Sequence, residues 1–521
     1  MQGGASRRNP LFVVSLVAGM LMLLGPLALW AGSFITGPLV QVSGTSPFLG
    51  CTADDVAGQI ARDSTGQRKV FLNSEVEPWV DVNPTNANNI VAVWQQDRWS
   101  DGGSRGLVAG VSRDGGASWT SVVIPGISQC SGGSFPRATD PWLSFAPDGT
   151  LHQISLSLDI DPPANRPGGF GRNALLVSRS TTGGLTWTAP ITIIEDENPR
   201  FLNDKQSITA DPTDPHLVYA VWDRLKQSLG NIINPERVPG DLSFKGAAMF
   251  TRSTDAGATW EPARVLYDPG AISQTIGNQL LVLPNATLVA FFDEILGVRN
   301  SAGPGPFNLS LKRSFDKGVT WLPEGPPIRT NKLLPRGTVT PDDHRNVRDG
   351  RLLFDVAVDA ATGNLYAVWQ DSRFSGFRLD EVAFSMSTDG GLTWSTPIKV
   401  NQTPVNTTNG LRQQAFLPSV AVTEDGTVVV TYYDFRNDGS VGELADYFAV
   451  HCHAACASRS SWGNEARLTD APFDILKAPV ASGLFLGDYM GLAASRADAV
   501  AIFTQPHGTD PSSVFFRRTG P

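Results

Sequence analysis

Charged residues are scarce in this sequence of 521 residues, and positive charge is scarcer than negative charge. Lysine and arginine together number 41, aspartate and glutamate 50, and the formal net charge is -9 at pH 7. No run of like charges stands out along the chain. Because nucleic-acid binding requires a basic face, this balance argues against DNA or RNA as a partner.

Signatures of the common cofactors are also missing. The sequence contains no phosphate-cradling glycine loop, no paired-histidine zinc motif and no EF-hand loop. We therefore predict that the protein acts without a cofactor. Calcium bound at a channel or a loop stays open at this stage.

Only four cysteines occur in the chain. An exported protein holds such cysteines in disulfides. Cys452 and Cys456 are close enough to bridge a small loop, and Cys51 and Cys130 form the second pair by elimination. The alternative is a metal site made by the His-Cys-His run at 451–453 together with Cys456, but this spacing is too cramped for a usual tetrahedral zinc site.

One long apolar run marks the N-terminus. It covers about residues 11–35, follows two arginines and contains no charge. Because ~20 apolar residues span the ~30 Å core of a bilayer, the run is long enough to cross a membrane. The positive charges before it predict that the body of the protein lies outside the cytoplasm, secreted or anchored to the membrane. We predict that residues 1–35 are a signal anchor or a cleaved signal peptide, and that the Gly-, Ser-, Thr- and Pro-rich residues 36–68 are a linker.

An eight-residue phrase recurs along the rest of the chain with the pattern Ser-x-Asp-x-Gly-x-Thr/Ser-Trp. Its full copies lie at residues 112–119, 253–260, 314–321 and 387–394. A weaker copy at 180–187 has Thr182 in place of the aspartate. Aspartate and serine side chains accept hydrogen bonds from nearby backbone N–H groups, and the glycine allows a positive φ, so the phrase predicts a hairpin turn. Copies at near-regular spacing predict a repeat architecture.

A second recurring phrase, out of phase with the first, predicts pairs of strands. Residues 78–82 lead to 90–94, for example, and residues 418–422 lead to 428–432. A third strand enters the Asp-bearing turn and a fourth leaves it, which gives the four antiparallel strands of a propeller blade. We count seven such units over residues 69–521. The sequence therefore predicts an all-β fold, a β-propeller of four-stranded blades, with seven blades favoured and six as the alternative.

The two ends of the propeller are offset by one strand. The seventh unit stops after its third strand at 513–517, while residues 69–73 precede the first unit as an additional strand. We predict that residues 69–73 lie beside 513–517 and close the ring. Such pairing would remove two open sheet edges.

The turn phrases resemble those of the Asp-box (BNR) repeat proteins of the sialidase superfamily. The runs Tyr-Tyr-Asp-Phe-Arg-Asn at 432–437 and Gly-Asp-Tyr-Met-Gly-Leu at 487–492 look like those of exported bacterial members identified as exo-alpha-sialidases. The resemblance implies a propeller that hydrolyses acidic, sialic-acid-type glycans, with a glycan or cell-surface glycoconjugate as its partner. In that family the Asp-box turns lie away from the active face, so we expect their aspartates to be structural.

Residues just before each first strand converge on one mouth of a propeller channel, which is the default ligand site. Sialidases hold the carboxylate of their substrate with three arginines, because planar guanidinium groups bind carboxylates in a bidentate manner. By position, the resemblance implies Arg137, Arg348 and Arg412 as this clamp. The family's Phe-Arg-Ile-Pro phrase is absent, and Phe-Pro-Arg at 135–137 is a loose echo of it.

The catalytic residues of the family are a tyrosine nucleophile activated by a glutamate, and an aspartate that acts as the acid/base. By position, the resemblance implies Tyr489 as the nucleophile and Glu77 as its partner. Asp140 or Asp488 would be the acid/base.

A second hypothesis is a non-catalytic propeller that binds glycan or protein at the cell surface. In that case the charges at the mouth satisfy one another as ion pairs. The two hypotheses differ in their geometry. The enzyme needs two arginines and Tyr489 in one cleft, with a carboxylate within reach of the phenol oxygen, whereas the binding protein needs neither.

Overall fold

The structure, a computed structural model, describes residues 34–53, 68–161, 169–227, 244–271, 273–297, 307–406, 408–439 and 442–520, together with residues 1 and 3. Every long element in these ranges is a β-strand, and the helical segments are short 3-10 turns at Gln129–Ser131, Arg373–Ser375, Gly410–Gln413, Arg459–Ser461 and Ile475–Lys477. The predicted leader lies almost wholly outside the described residues. Within them, none of the helical segments has the length and apolar character to span a bilayer.

The first strands are two short ones near the N-terminus, β1 (Ile35–Thr36) and β2 (Val40–Gln41). Three groups of four strands follow. The first is β3 (Glu75–Val82), β4 (Ile90–Arg98), β5 (Ser104–Ser112) and β6 (Thr120–Val123). The second is β7 (Arg137–Phe145), β8 (Leu151–Leu158), β9 (Asn173–Ser180) and β10 (Ile191–Asp196). The third is β11 (Phe201–Ala210), β12 (Val218–Gln227), β13 (Phe244–Ser253) and β14 (Arg264–Tyr267).

The second half of the chain repeats this organisation. The fourth group is β15 (Gln274–Val282), β16 (Leu288–Ile295), β17 (Phe307–Ser314) and β18 (Ile328–Lys332), followed by the short β19 (Thr338–Val339) and β20 (Asn346–Arg348). The fifth is β21 (Phe354–Val358), β22 (Leu365–Asp371), β23 (Glu381–Ser387) and β24 (Ile398–Lys399). The sixth is β25 (Ala415–Val422), β26 (Val428–Asp434), β27 (Leu444–Cys452) and β28 (Gly463–Arg467), followed by β29 (Phe473–Asp474) and β30 (Leu484–Phe485). The last strands are β31 (Gly491–Ser495), β32 (Asp498–His507) and β33 (Asp510–Gly520).

Within each group the strands pair antiparallel in chain order, so the predicted all-β fold of antiparallel sheets is confirmed. The second strand of each group is buried along most of its length, because it has a strand on each side. Trp94, Trp222 and Trp369 on these strands have no exposed surface. Burying so large a ring stabilises the fold by ~4–6 kcal/mol before entropy is counted.

The first strands of successive groups lie side by side. β3 lies against β7, β7 against β11, β11 against β15, β15 against β21, β21 against β25 and β25 against β31. β31 in turn lies against β3. All seven border one narrow cavity of about 260 Å³.

The Asp-bearing phrases form the expected turns between third and fourth strands. In the copy at 253–260, the carboxylate of Asp255 accepts hydrogen bonds from the backbone N–H of Thr259 at 2.8 Å and from its hydroxyl at 2.6 Å. The N–H of Gly257, which has a φ of 76°, donates to the Ser253 hydroxyl at 2.8 Å. In the weaker copy Thr182 replaces the aspartate as acceptor. The aspartates therefore hold the turns together.

The last strand does pair with the N-terminal part of the chain. The prediction that residues 69–73 form this pairing is wrong. Val40 and Gln41 of β2 pair with Phe516 and Phe515 of β33, and β1 pairs with its end. Residues 69–73 instead lie beside the first group, where Val70 bridges Trp99. The reason is packing, because Val42 joins the same buried cluster as Val514 and Phe516, whereas among the described residues Val70 belongs to a small separate cluster with Trp99 and Leu72.

Both predicted disulfides are present. Cys51 pairs with Cys130 across Cα atoms 5.5 Å apart, and Cys452 pairs with Cys456 across 5.7 Å. The first ties the N-terminal segment to the first group. Disulfides of this kind are typical of an oxidising, extracytoplasmic compartment.

Candidate functional site

A β-bulge interrupts the first strand of several groups at the same position and turns one side chain toward one end of the cavity that these strands share, here called the mouth. The residues in the bulges of β3, β7, β11 and β25 are Glu77, Asp140, Lys205 and Leu417, and each has a positive φ between 47° and 53°. Non-glycine residues rarely adopt this conformation, and it is common at ligand sites. The bulges therefore build the mouth.

Lys205 lies at the centre of a buried ion cluster. Its Nζ is 2.8 Å from Asp488 Oδ2, 3.3 Å from Glu77 Oε1 and 3.5 Å from Asp140 Oδ1. Arg348 binds Asp488 from the other side with two donors, Nε at 3.0 Å and Nη2 at 2.6 Å. Lys205 is not among the residues that the sequence predicted for this site. No sequence signal distinguished it from the other charged residues there.

The carboxyl groups of this cluster differ in their affinity for protons. Burial raises the pKa of Glu77 well above its usual value, although Lys205 opposes this. Burial also raises the pKa of Asp488, but Arg348 and Lys205 outweigh it and hold that pKa well below the usual value. Burial raises the pKa of Asp140 as well, but Lys205 outweighs it and lowers that pKa below its usual value. Asp204, beside Asp140, is raised to a pKa of about 7 by burial and by the neighbouring charge.

Three aromatic rings lie next to the cluster. Trp79 and Trp142, at matching positions in β3 and β7, stack with centroids 3.4 Å apart. The ring of Tyr489 lies 5.5 Å from that of Trp142. All three side chains are half-buried and border the cavity beside the cluster. In the sequence, a Pro-Trp pair follows both Glu77 and Asp140, and this repeated pair is the signal from which two of the rings could have been predicted.

The phenol of Tyr489 is engaged by the backbone. Its hydroxyl donates to the carbonyl of Pro141 at 3.0 Å, and none of the described carboxylates forms a hydrogen bond with it. Burial, together with the nearby carboxylates, raises the pKa of Tyr489 well above its usual value, so the phenol stays protonated. The structure thus brings Tyr489, Glu77, Asp140 and Asp488 together without placing a base on the phenol.

The three arginines expected to form one clamp have different partners. Arg348 binds Asp488 in the cluster. Arg137 pairs with Asp101 at 2.7 Å and lies over the Trp99 ring. Arg412 pairs with Asp438 at 2.8 Å, where Asp342, Asp438 and Glu443 bring carboxylate oxygens within 4.8 Å of one another. Each guanidinium already neutralises a carboxylate of the protein.

The space enclosed beside the cluster is small. The cavity bordered by Trp142, Lys205, Asp488 and Tyr489 measures about 40 Å³, which holds about three water molecules and excludes a sugar ring. A larger ligand would therefore rest on the mouth above the ion cluster.

Fold and site together define an all-β protein of antiparallel sheets with Asp-box turns and a charged, aromatic site where the first strands meet. No protein-family model matches the chain. A sialidase of Micromonospora viridifaciens is 29% identical to it over 298 residues, which is 53% of this chain and 38% of the sialidase. The expected resemblance to the sialidase superfamily is confirmed by this similarity. Since the chain spans well under two thirds of that relative, the similarity does not fix its activity.

Solved structures with a similar course of the chain include two sialidases and an arabinanase. A Hadza microbial sialidase has a TM-score of 0.44 and 14% identity, covering 84% of this chain and 75% of that one. Trypanosoma rangeli sialidase in complex with the inhibitor DANA has a TM-score of 0.44 and 13% identity, covering 93% and 59%. A Penicillium chrysogenum alpha-L-arabinanase complexed with arabinobiose has a TM-score of 0.44 and 11% identity, covering 92% and 98%. Likeness at this level carries no argument about function.

Proposed function

We propose that the seven strand groups are the blades of a closed propeller. The support is the unbroken sequence of neighbours among the first strands, from β3 through β31 and back to β3. The common cavity that these strands border would be the axial channel. In this arrangement β1 and β2 complete the last blade by pairing with β33.

We further propose that this propeller binds a glycan at the channel mouth and does not cleave it. The observation that carries this proposal is the half-buried trio of Trp79, Trp142 and Tyr489 beside the ion cluster. Aromatic faces next to a few placed polar groups are the usual composition of a small-molecule site. The lysine and arginines of the mouth bind the protein's own carboxylates, as the non-catalytic hypothesis expects.

Hydrolysis of acidic glycans is the second candidate, and one feature favours it. Glu77 and Asp140 both pair with Lys205 and share a hydrogen bond with each other, and their pKa values are displaced in opposite directions. Paired carboxyls with divergent pKa values can divide the roles of acid and base. In this candidate Asp140 or Asp488 is the acid/base and Tyr489 the nucleophile with Glu77 as its partner, while Arg137, Arg348 and Arg412 clamp the substrate. Its relative in Micromonospora viridifaciens is named a sialidase.

The place of action belongs to the same proposal. We infer that the protein works outside the cytoplasm, secreted or held at the membrane by residues 1–35. Its two disulfides support an oxidising compartment. A glycan of the cell surface or its surroundings is then the accessible ligand.

Binding to an array of sialylated and neutral oligosaccharides tests the first candidate. We expect binding to at least one glycan class, weakened ~10-fold by W142A, because the substitution removes a ring of the mouth. The control is W260A, since Trp260 is a half-buried tryptophan of an Asp-box turn. Equal losses in the two variants, or none in either, would contradict the proposed site.

Release of fluorophore from a fluorogenic sialoside separates the two candidates. The binding hypothesis expects no turnover by the purified protein. Turnover that is lost in Y489F and in D140N would instead establish hydrolysis with those residues in the roles given above.

A further inference from the structure

An Asp-box turn can contact the preceding group of strands, and we call the contact region between two successive groups a seam. The seam between the third and fourth groups is an example. The turn at 314–321 reaches back to the third group, where Lys317 Nζ lies 2.9 Å from Asp211 Oδ2. Arg252 of β13 donates from Nη1 to the carbonyl of Lys317 at 2.6 Å. Trp321 closes the turn edge-on to Phe250, with ring centroids 5.2 Å apart. A lysine and an arginine thus fill this seam.

The seam between the fifth and sixth groups has the same frame. Tyr366 stacks on Phe384 at 6.0 Å and 29°, as Tyr219 stacks on Phe250 at 6.2 Å and 28°. Trp462 lies edge-on to Phe384 at 4.7 Å, in the manner of Trp321. Asp359, in the turn before Tyr366, corresponds to Asp211 before Tyr219.

The cations of the filled seam are missing here. Met386 stands where β13 has Arg252, and the loop at 452–462, bridged by Cys452 and Cys456, replaces the Asp-box turn. This loop carries no lysine, and its Arg459 is exposed and does not line the seam. Asp359 accepts hydrogen bonds from the N–H of Ala361 and the hydroxyl of Thr362 in its own turn. Among the described residues, no lysine or arginine forms an ion pair with it.

The result is an open groove of about 770 Å³. It lies beside the Asp-box turn at 387–394, on the side of the protein that we call the Asp-box face. Its lining contains the carboxylates of Asp359, Glu424 and Asp425, the rings of Tyr366 and Trp394, and neither lysine nor arginine. His453 is the only lining residue that can carry positive charge, and it is bonded to the hydroxyl of Thr427. The groove is therefore acidic, with apolar walls.

We propose that this groove is a docking site for a basic turn of a partner polypeptide. The partner's lysine or arginine would meet Asp359, as Lys317 meets Asp211, and its apolar residues would pack against Trp394 and Met386. Charge complementarity and the repeated frame both support this occupant. The site lies on the Asp-box face, away from the channel mouth, and does not depend on glycan binding there.

The test uses the protein's own filling turn as the probe. A fluorescently labelled octapeptide with the sequence of residues 314–321, Ser-Phe-Asp-Lys-Gly-Val-Thr-Trp, is titrated with the purified protein and followed by anisotropy. We expect saturable binding that weakens about fivefold when alanine replaces the peptide's lysine, because that change removes the ion pair. D359N should weaken binding by a similar factor, whereas D211N, in the filled seam, should leave it unchanged.

M386R provides a second variant, which restores the arginine found at this position in the filled seam. Its guanidinium should occupy the groove and reduce peptide affinity by about fivefold or more. Three results would each overturn the proposal: no binding at up to about 1 mM protein, equal affinity for the alanine peptide, or unchanged affinity in both D359N and M386R.

Discussion

At the scale of single residues, contacts between groups depend on side chains whose charge state is set by burial. His152 of β8 is 1% exposed and lies against the Asp-box turn of the third group, where a Cβ on Gly257 would come within 2.9 Å of its Nδ1. Burial, helped by Arg179, lowers the pKa of His152 to about 4 from 6.5. The folded state therefore keeps this ring neutral.

This predicts an acid-sensitive contact. Because the folded-state pKa lies below the unfolded value, the contribution of His152 is present above about pH 6.5 and is lost as the pH falls toward about 4. The loss amounts to about 3 kcal/mol. We expect H152L to lose less stability than the parent between pH 7 and about pH 4 in thermal unfolding. H216L, at an exposed site, should retain the parent's dependence. Parallel acid curves for H152L and the parent would contradict the prediction.

Residue chemistry also explains which site residues could be predicted. The charges that precede each first strand were predicted to converge, and Glu77, Asp140 and Asp488 do meet. Their partners were not predictable, because bulges with positive φ decide which way each side chain turns. Arg412 also precedes the first strand of its group, yet it forms an ion pair with Asp438 of the same group and does not join the cluster.

At the scale of elements, the Asp-box turns and the alternating strands could be predicted from the sequence, because each depends on local chemistry. The N-terminal strands could not be predicted, because β1 and β2 have two residues each and a Gly-Pro pair lies between them. Composition marked that stretch as a linker, and residues 69–73 offered a better strand pattern. The burial of Val42 against Val514 and Phe516 decided between them.

The same element gives a prediction by truncation. A chain that begins at residue 34 keeps β1 and β2, whereas a chain that begins at residue 44 leaves the edge of β33 unpaired. We expect the shorter chain to unfold at a lower temperature and to aggregate, because an open apolar edge pairs with other chains. Thermal unfolding and size-exclusion chromatography measure both effects. Equal stability of the two chains would show that these strands contribute little.

At the scale of the whole molecule, the Lys205 cluster joins distant parts of the chain. Glu77, Asp140, Lys205 and Asp488 come from the first, second and third groups and from the segment before β31, and Arg348 adds β20. Removing one member of a buried ion network leaves uncompensated charge. The cluster should therefore govern global stability.

We expect K205M to lower the free energy of unfolding by about 3–5 kcal/mol, because three buried carboxyl groups lose their common partner. The matched control is K317M, whose lysine is 33% exposed and pairs with Asp211. That change should cost less than about 1 kcal/mol. Denaturant titration of both variants measures the difference. Equal values would contradict a central role for Lys205.

The pairing of β2 with β33 also bears on how the protein is made. During translation the N-terminal segment leaves the ribosome hundreds of residues before its partner strand has been synthesised. Its apolar residues must then wait without their final contacts, exposed to chaperones and proteases. Completion of the native sheet therefore waits until β33 has left the ribosome, and a nascent chain stalled before Asp510 cannot reach it.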